Sequence, residues 1–431
     1  MPSSNDRLLR FLSRSPTPFH AVANIRSRLE TAGFNALAET DSWGENGLAP
    51  GKYFTTRNDS SLIAFKINTP PQENGFRLVG AHTDSPCLKV KPNAITVNNG
   101  YAKLALEVYG GVLLGPWFDR DLSLAGRVTI RTKNGEIESH LLDFVDPIAF
   151  IPNLAIHLDR NANEEKSINK QKHLPAVLCR CDGEHPSFHG LLNARLQEEH
   201  PELDVDEILS FEMSLYDCQG AALVGLEQEF IASARLDNLL SCHGGVEAII
   251  HSGDETNQVL VLNDHEEVGS ASTSGAEGPF LLSVLQRLCL SEENTQRAIS
   301  HSMMISADNA HGVHPNYANL HEPGHQPLIN NGPVIKINNN QRYATNSETE
   351  AMFRHICQRH NLPYQVVVVR SDMGCGSTIG PITATRLGVR TIDIGVPQLG
   401  MHSIREMAGT EDQQILMKAL AGFYDTTDWP F

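Results

Sequence analysis

The 431-residue sequence has no run of about 18 apolar residues, so no membrane-spanning helix is expected and a membrane is not an expected partner. Its first residues, MPSSNDRLLRFLSRSPTPFHAV, lack the uninterrupted apolar stretch of a secretory leader, because charges and prolines break them at short intervals. Basic residues are in deficit, with 34 Lys+Arg against 51 Asp+Glu for a formal charge of −17, and no Lys/Arg-rich run stands out. Phosphate backbones repel such a chain, so nucleic acid is not an expected partner. The eight cysteines (Cys87, Cys179, Cys181, Cys218, Cys242, Cys289, Cys357, Cys375) show no paired framework. Several sit in apolar runs where a thiol packs as a small hydrophobe, which suits a reducing cytoplasmic location. Cys179-x-Cys181 has no second pair at finger spacing, which argues against a structural zinc site there.

What is present is an ordinary globular composition, 40% hydrophobic and 20% charged, in a chain long enough for two or three domains at about 100–200 residues each. Amphipathic spacing predicts helices near Arg7–Ser13 and Phe19–Ala32, the second stopped by Gly33. SLIAFKI (61–67) and FRLVGAHTD (76–84) read as strands. From about Pro92 to Ser233 the texture changes to alternating stretches such as KLALEVYGG and GRVTIRT, expected as short antiparallel strands. After Arg235 helices and strands alternate: LLSCHGGVEAIIHS, QVLVLND, GPFLLSVLQRLCL, MMISADN, VIKIN, YQVVVVR and RTIDIGV. The fold class is therefore α/β with a mainly parallel sheet. Residues 1–92 and 234–431 form the α/β domain, and 93–233 a β-rich insertion.

Acids and histidines cluster at predicted strand ends: His82 and Asp84, then Asp264, Glu266 and Glu267, then Asp308, and His402 beyond TIDIGV. In open α/β sheets ligands bind beyond the carboxyl ends of strands, so these distant positions can converge, and this set of groups suits a metal. Each has an ordinary alternative. His82-x-Asp84 is either a turn with a core histidine or a ligating imidazole backed by an orienting carboxylate. Asp237, in SARLDNLLSC, either caps the following helix or bridges two cations. Asp308 also suits a turn, and His402 a surface loop. The adjacent Glu266 and Glu267 repel one another unless a cation intervenes, with one carboxylate ligating and the other acting as general base. Imidazole and carboxylates without thiolate suit Zn²⁺ and also tolerate Mn²⁺ or Co²⁺. Lys336, in GPVIKINNNQRYATN, is by default an outward lysine on a strand.

GAHTDSPCLKVKP, SARLDNLLSC, NDHEEVGSAS, SADNAHGVHPNY, SDMGCGSTIGP and GMHSIREMAG resemble, in order and over essentially the whole chain, the signature segments of the M18 metalloaminopeptidases, the aspartyl aminopeptidases. The resemblance implies a catalytic α/β domain with an inserted β-rich dimerisation domain, and a tetrahedral homododecamer built from dimers. It implies two Zn²⁺ per chain on His82, Asp237 as bridge, Glu267, Asp308 and His402, with Glu266 as catalytic base and Asp84 behind His82. It also implies peptide substrates with free acidic N-termini, read by Lys336 with Asp264 and His311. His157, in IPNLAIHLDR, is implied to hold substrate in a neighbouring subunit's site, with a metal-ligand role as the other reading. Two further functions suit the same residues: a dinuclear-metal amidohydrolase or deacylase with a different pocket, and a non-catalytic binding or shell protein of the same fold. The intact Glu266 argues against the last.

Overall fold

Ser61–Ile67 and Arg77–His82 are buried at every position, which is why neither shows polar alternation: both lie in a sheet covered on both faces. The computed structural model describes residues 3–44, 47–165, 167–182 and 186–428. The chain divides into two units, the first Met1–Asp84, Ala221–Met401 and Glu406–Phe431, the second Ser85–Gly220 with His402–Arg405.

The first unit is built on a nine-stranded sheet in the spatial order Asn35–Ala36, Gly51–Arg57, Ser61–Ile67, Gln258–Asn263, Arg77–His82, Met303–Ala307, Arg390–Gly395, Val334–Ile337 and Gln365–Val368. The four strands from Gln258–Asn263 to Arg390–Gly395 are mutually parallel, while antiparallel pairs occur toward the flanks. Alternate residues of one strand serve opposite cores. Leu260 and Leu262 pack with Leu8, Ile25, Leu239 and Phe353, whereas Val259 and Val261 pack with Phe65, Phe280, Val284 and Ile379. Each fully buried side chain of this size contributes roughly 1.5–3 kcal/mol. Helix Leu236–His251 lies close on the sheet because Gly245 leaves room: a Cβ there would stand 2.6 Å from Leu260 Cδ1. A smaller five-stranded sheet in the same unit runs Ala222–Val224, Phe230–Ser233, Glu406–Gly409, Pro397–Leu399, Ala310–His311.

Local signals account for several boundaries. The first helix begins at Ser4 because Ser3 and Asp6 form a capping box, and the second, Pro18–Thr31, starts with Pro at its first position behind Thr17. Helices Ser347–Arg359, Ile379–Leu387 and Asp412–Tyr424 were not anticipated, although Asn346 and Thr349 form a capping box before the first of them.

The second unit is a six-stranded antiparallel sheet, ordered Ile137–Asp143, Leu122–Thr132, Val205–Asp217, Cys87–Asn98, Tyr101–Tyr109, Ala176–Arg180, with helix Phe188–Glu199. Its core joins Leu88, Leu104, Leu124, Ile130, Leu192 and Leu215. The texture change expected at Pro92 falls inside Cys87–Asn98, where a register irregularity between Val90 and Ile95 accommodates the proline. At the other end, Ala222–Val224 and Phe230–Ser233 pair with the first unit's Glu406–Gly409, so the second unit closes at Gly220 and not at Ser233.

Candidate metal centre

The parallel strands of the first unit carry their functional groups on the turns just beyond their carboxyl ends. His82 is the last residue of its strand and Asp84 lies two residues on, each only 1% exposed. Asn263 stands opposite His82, so Asp264 and the short 3-10 turn Glu266–Val268 emerge alongside. Asp308 follows Met303–Ala307, and Asp237 stands at the start of the buried helix, with non-helical backbone and a cis peptide to Asn238.

Asp84 organises these turns. Its Oδ1 and Oδ2 accept the backbone N–H groups of Glu266 and Glu267 at 3.1 and 3.0 Å. Its Oδ1 lies 3.3 Å from His82 Nδ1, and its carbonyl oxygen 3.0 Å from the same nitrogen. His82 Nε2 faces Asp237 Oδ1 at 3.5 Å. One set of ligating atoms, from His82, Glu266 and Glu267, lies within 4.8 Å of one another, and a second, from His82, Asp237 and Asp308, does likewise.

This much negative charge out of water is in conflict with itself. Burial, opposed by His82 and reinforced by Asp308, Asp84 and Asp237, pushes Glu266 up to about 7. Burial also raises Glu267, with Asp237 adding to it, and raises Asp308 against the pull of Lys336. Asp264 is raised by burial and by Asp84. For His82, burial disfavours the charged ring, yet Asp237, Asp84 and Glu266 outweigh it and hold the pKa high. A divalent cation relieves every one of these conflicts, and the donor set fits a hard or borderline ion. Cys242, whose thiol reaches the His82 carbonyl at 2.9 Å, is pushed by burial up to about 12 and packs as a neutral thiol.

Lys336 is not an outward lysine: it is 3% exposed, and its Nζ lies 3.4 Å from Asp308 Oδ1 and 5.5 Å from the centre of the Tyr343 ring. Tyr343 in turn lines a cavity of about 290 Å³ together with His311, Gly374, Cys375, Gly376 and Gln398. Asp264 is buried, and one of its oxygens accepts the His265 N–H at 2.8 Å.

The first unit thus brings together His82, Asp84, Asp237, Asp264, Glu266, Glu267, Asp308 and Lys336. His402 and His157 belong to the second unit. His402 has a left-handed backbone, φ 67°, and its Nδ1 stands 3.1 Å from the Gly111 carbonyl. His157 is exposed in a turn flanked by exposed Leu154, Ile156 and Leu158.

Three residues escaped the sequence reading. Glu406 accepts the Asp237 N–H at 2.9 Å, Tyr343 meets Lys336, and Asp393 sits fully buried beside the Lys336 strand. Glu406 and Tyr343 stand inside segments already singled out, GMHSIREMAG and QRYATN, but their partners are set by the sheet and leave no spacing signal.

Residues 11–424 match the family model described as aminopeptidase I zinc metalloprotease (M18). A Pseudomonas aeruginosa protein described as a probable M18 family aminopeptidase 2 is 57% identical over 428 residues, covering 99% of both chains. An Azotobacter vinelandii protein of the same description is 57% identical over 424 residues, 98% of each. Among solved structures, one described as the Ape4 and Nbr1 complex superposes with a TM-score of 0.92 at 39% identity, covering 98% of this chain and 85% of that one. The S. cerevisiae mApe1 dodecamer gives 0.83 at 28% identity over 98% and 96%.

Proposed function

The chain belongs to the M18 family of metalloaminopeptidases, and from that premise we propose that it removes acidic residues, Asp or Glu, from the free N-termini of peptides. The observation that carries this reading is Lys336, an ammonium held in a buried position 3.4 Å from Asp308 and against the Tyr343 ring that lines the neighbouring cavity. A fixed cation in a low-dielectric wall favours a carboxylate side chain over a neutral one.

In this reading His82, Asp237, Glu267, Asp308 and His402 would hold two Zn²⁺, with Mn²⁺ or Co²⁺ as substitutes. When bound, such cations act as Lewis acids that polarise the scissile carbonyl and make water acidic enough to react near neutral pH. The chain's own residues do the rest. With its Nδ1–H given to the Asp84 carbonyl, His82 would ligate through Nε2, the nitrogen that faces Asp237, once a cation displaces the Nε2 proton. Asp84 holds the Glu266–Glu267 backbone, and so orients both carboxylates. Glu266 takes a proton from the attacking water at its carboxylate as the new C–O bond forms, and delivers it to the departing amine as the C–N bond breaks.

Lys336 pairs with the substrate's side-chain carboxylate, with Asp264 and His311 completing the pocket. His157 holds substrate in a neighbouring subunit of a homododecamer, with the second unit serving in dimerisation. The S. cerevisiae relative's dodecamer supports that assembly. The reading also places the enzyme in the cytoplasm.

Chromogenic Asp, Glu, Leu and Ala aminoacyl substrates, assayed with and without chelator, test the proposal. Chelator-sensitive release favouring Asp and Glu is expected. Activity on neutral or N-acylated substrates instead would point to another pocket of the amidohydrolase kind, and absence of any turnover to a non-catalytic protein.

A further inference from the structure

Asp393 lies on Arg390–Gly395, between the strand that precedes Asp308 and the strand that carries Lys336. Ser306 stands opposite Asp393 in one direction, and Ile335 opposite Ile394 in the other. Its carboxylate is fully buried and both oxygens are engaged. Thr378 Oγ1 donates to Oδ1 at 2.6 Å, and the Ala344 N–H donates to Oδ2 at 2.6 Å. The Asp393 N–H donates to Thr345 Oγ1 at 3.0 Å. A Cβ at position 380 would stand 2.2 Å from Oδ1, so Gly380 leaves the space that the carboxylate fills.

The two donors come from segments that lead directly to the cavity beside Lys336. Ala344 follows Tyr343, whose ring faces the Lys336 ammonium and lines the cavity. Thr378 follows the Gly-rich loop whose Met373, Gly374, Cys375 and Gly376 also line it, with Cys375 meeting the Tyr343 hydroxyl. Gly374 and Gly376 leave that loop's backbone free to adopt several shapes, and a buried carboxylate is costly unless both oxygens are satisfied. An amide in its place keeps both partners only through neutral hydrogen bonds, Oδ1 accepting the Ala344 N–H and Nδ2 donating to the Thr378 hydroxyl, which are about half as strong as those to a carboxylate.

We propose that Asp393 is the positioning residue of the specificity pocket: it clasps the Tyr343 segment and the Gly-rich loop at a fixed separation, so that the Lys336 ammonium meets the carboxylate of an acidic first residue. Asp393 touches neither substrate nor metal. The inference rests on the reading of Lys336 given above and goes further, since it assigns selectivity to a residue one layer behind the pocket.

The test uses the full-length, metal-loaded enzyme and compares Asp393→Asn, Thr378→Val and Lys336→Met on N-terminal Asp and N-terminal Ala substrates. Asp393→Asn turns two charge-assisted hydrogen bonds into neutral ones, so the ratio of kcat/KM for Asp over Ala should fall about 10-fold. The fall should appear as a raised KM for the Asp substrate, with kcat for Ala and metals per chain unchanged. Thr378→Val keeps the carboxylate and removes one donor, and should shift the ratio the same way by less; it carries the test where the Asn variant folds poorly. Equal losses on both substrates, or an unchanged ratio in both variants while Lys336→Met collapses it, overturns the role of Asp393 and leaves the Lys336 reading standing. An unchanged ratio in Lys336→Met overturns that reading, and the inference with it.

Discussion

Replacing Asp84 by Asn changes one atom and disturbs three contacts at once. The wild-type carboxylate accepts the N–H of Glu266 on one oxygen and that of Glu267 on the other, at 3.1 and 3.0 Å, while Oδ1 also faces His82 Nδ1 at 3.3 Å. An Asn side chain keeps one acceptor and turns an NH₂ toward the second donor. A hydrogen bond to a charged group is worth about 1.5–3 kcal/mol. At about 1.4 kcal/mol per decade, its loss corresponds to roughly a 10- to 150-fold effect on whatever depends on the placement of the Glu266–Glu267 turn. Both zinc affinity, by competition against a chromophoric chelator, and kcat/KM on an Asp aminoacyl substrate at saturating zinc should fall by that factor. The Tm of the metal-free protein should change little, because the lost bond is offset by removing a charge that is 1% exposed. Zinc binding and kcat/KM both within threefold of wild type would refute the argument that Asp84 works by holding this turn.

Three further outcomes follow from the same geometry. Glu266→Gln keeps the shape but cannot take a proton, so kcat should fall by about 10²–10⁴ while two metals per chain remain bound; substantial residual turnover, or metal loss, sinks the assignment. If His157 serves a neighbouring subunit, assemblies mixed from His157→Ala and Glu266→Gln chains should regain activity that neither parent shows, and mixed assemblies that stay inactive would count against it. Far from the centre, His243 is buried, accepts a Gln413 Nε2–H on its Nδ1 at 2.9 Å, and is lowered by burial to about 4 from 6.5. A depressed folded-state pKa means that the unfolded chain takes up the proton first as pH falls, so stability is present above pH 6.5 and lost toward pH 4. Between pH 7 and pH 5 this costs about 2 kcal/mol, so urea unfolding of His243→Gln should lose that much less than wild type over the same interval. Parallel losses in the two proteins would show that His243 does not titrate this way.

How much of this was legible depends on where the information resides. The acids beyond parallel strands were readable because the strands themselves were: VLVL and MMISA are apolar runs that end abruptly in Asp264 and Asp308, and a polar group at such an end has few places to go but the sheet edge. The Lys336 environment was not readable, since VIKIN looks like any strand with one solvated lysine; only the placement of Asp308 and Tyr343 from other segments buries it. Asp393 was invisible for the same reason, because RTIDIGV does not announce that its acid meets a backbone amide of residue 344. Glu406 likewise acts on a main-chain N–H, which any sequence supplies. The limits of the second unit were misplaced because a proline at a strand irregularity looks like a breaker, and because Phe230–Ser233, β-rich in texture, finds its partner in a strand beginning at Glu406.

The central strand Arg77–His82 has a consequence for how the protein is made. Its six residues are all buried in the finished molecule, between neighbours at Gln258–Asn263 and Met303–Ala307 that come much later in the chain. Asp84 and Glu267, joined by a hydrogen bond, are 183 residues apart. At a synthesis rate of about 5–20 residues per second, the strand leaves the ribosome roughly 10–40 s before its first parallel partner exists. Throughout that interval the segment, apolar from Leu78 to Ala81, waits without its parallel neighbours while the second unit is being translated, and the turn that bears Glu266 and Glu267 cannot close on Asp84 until then. The groups of the candidate metal centre therefore come together late in synthesis, only after Glu267 and Asp308 have been made.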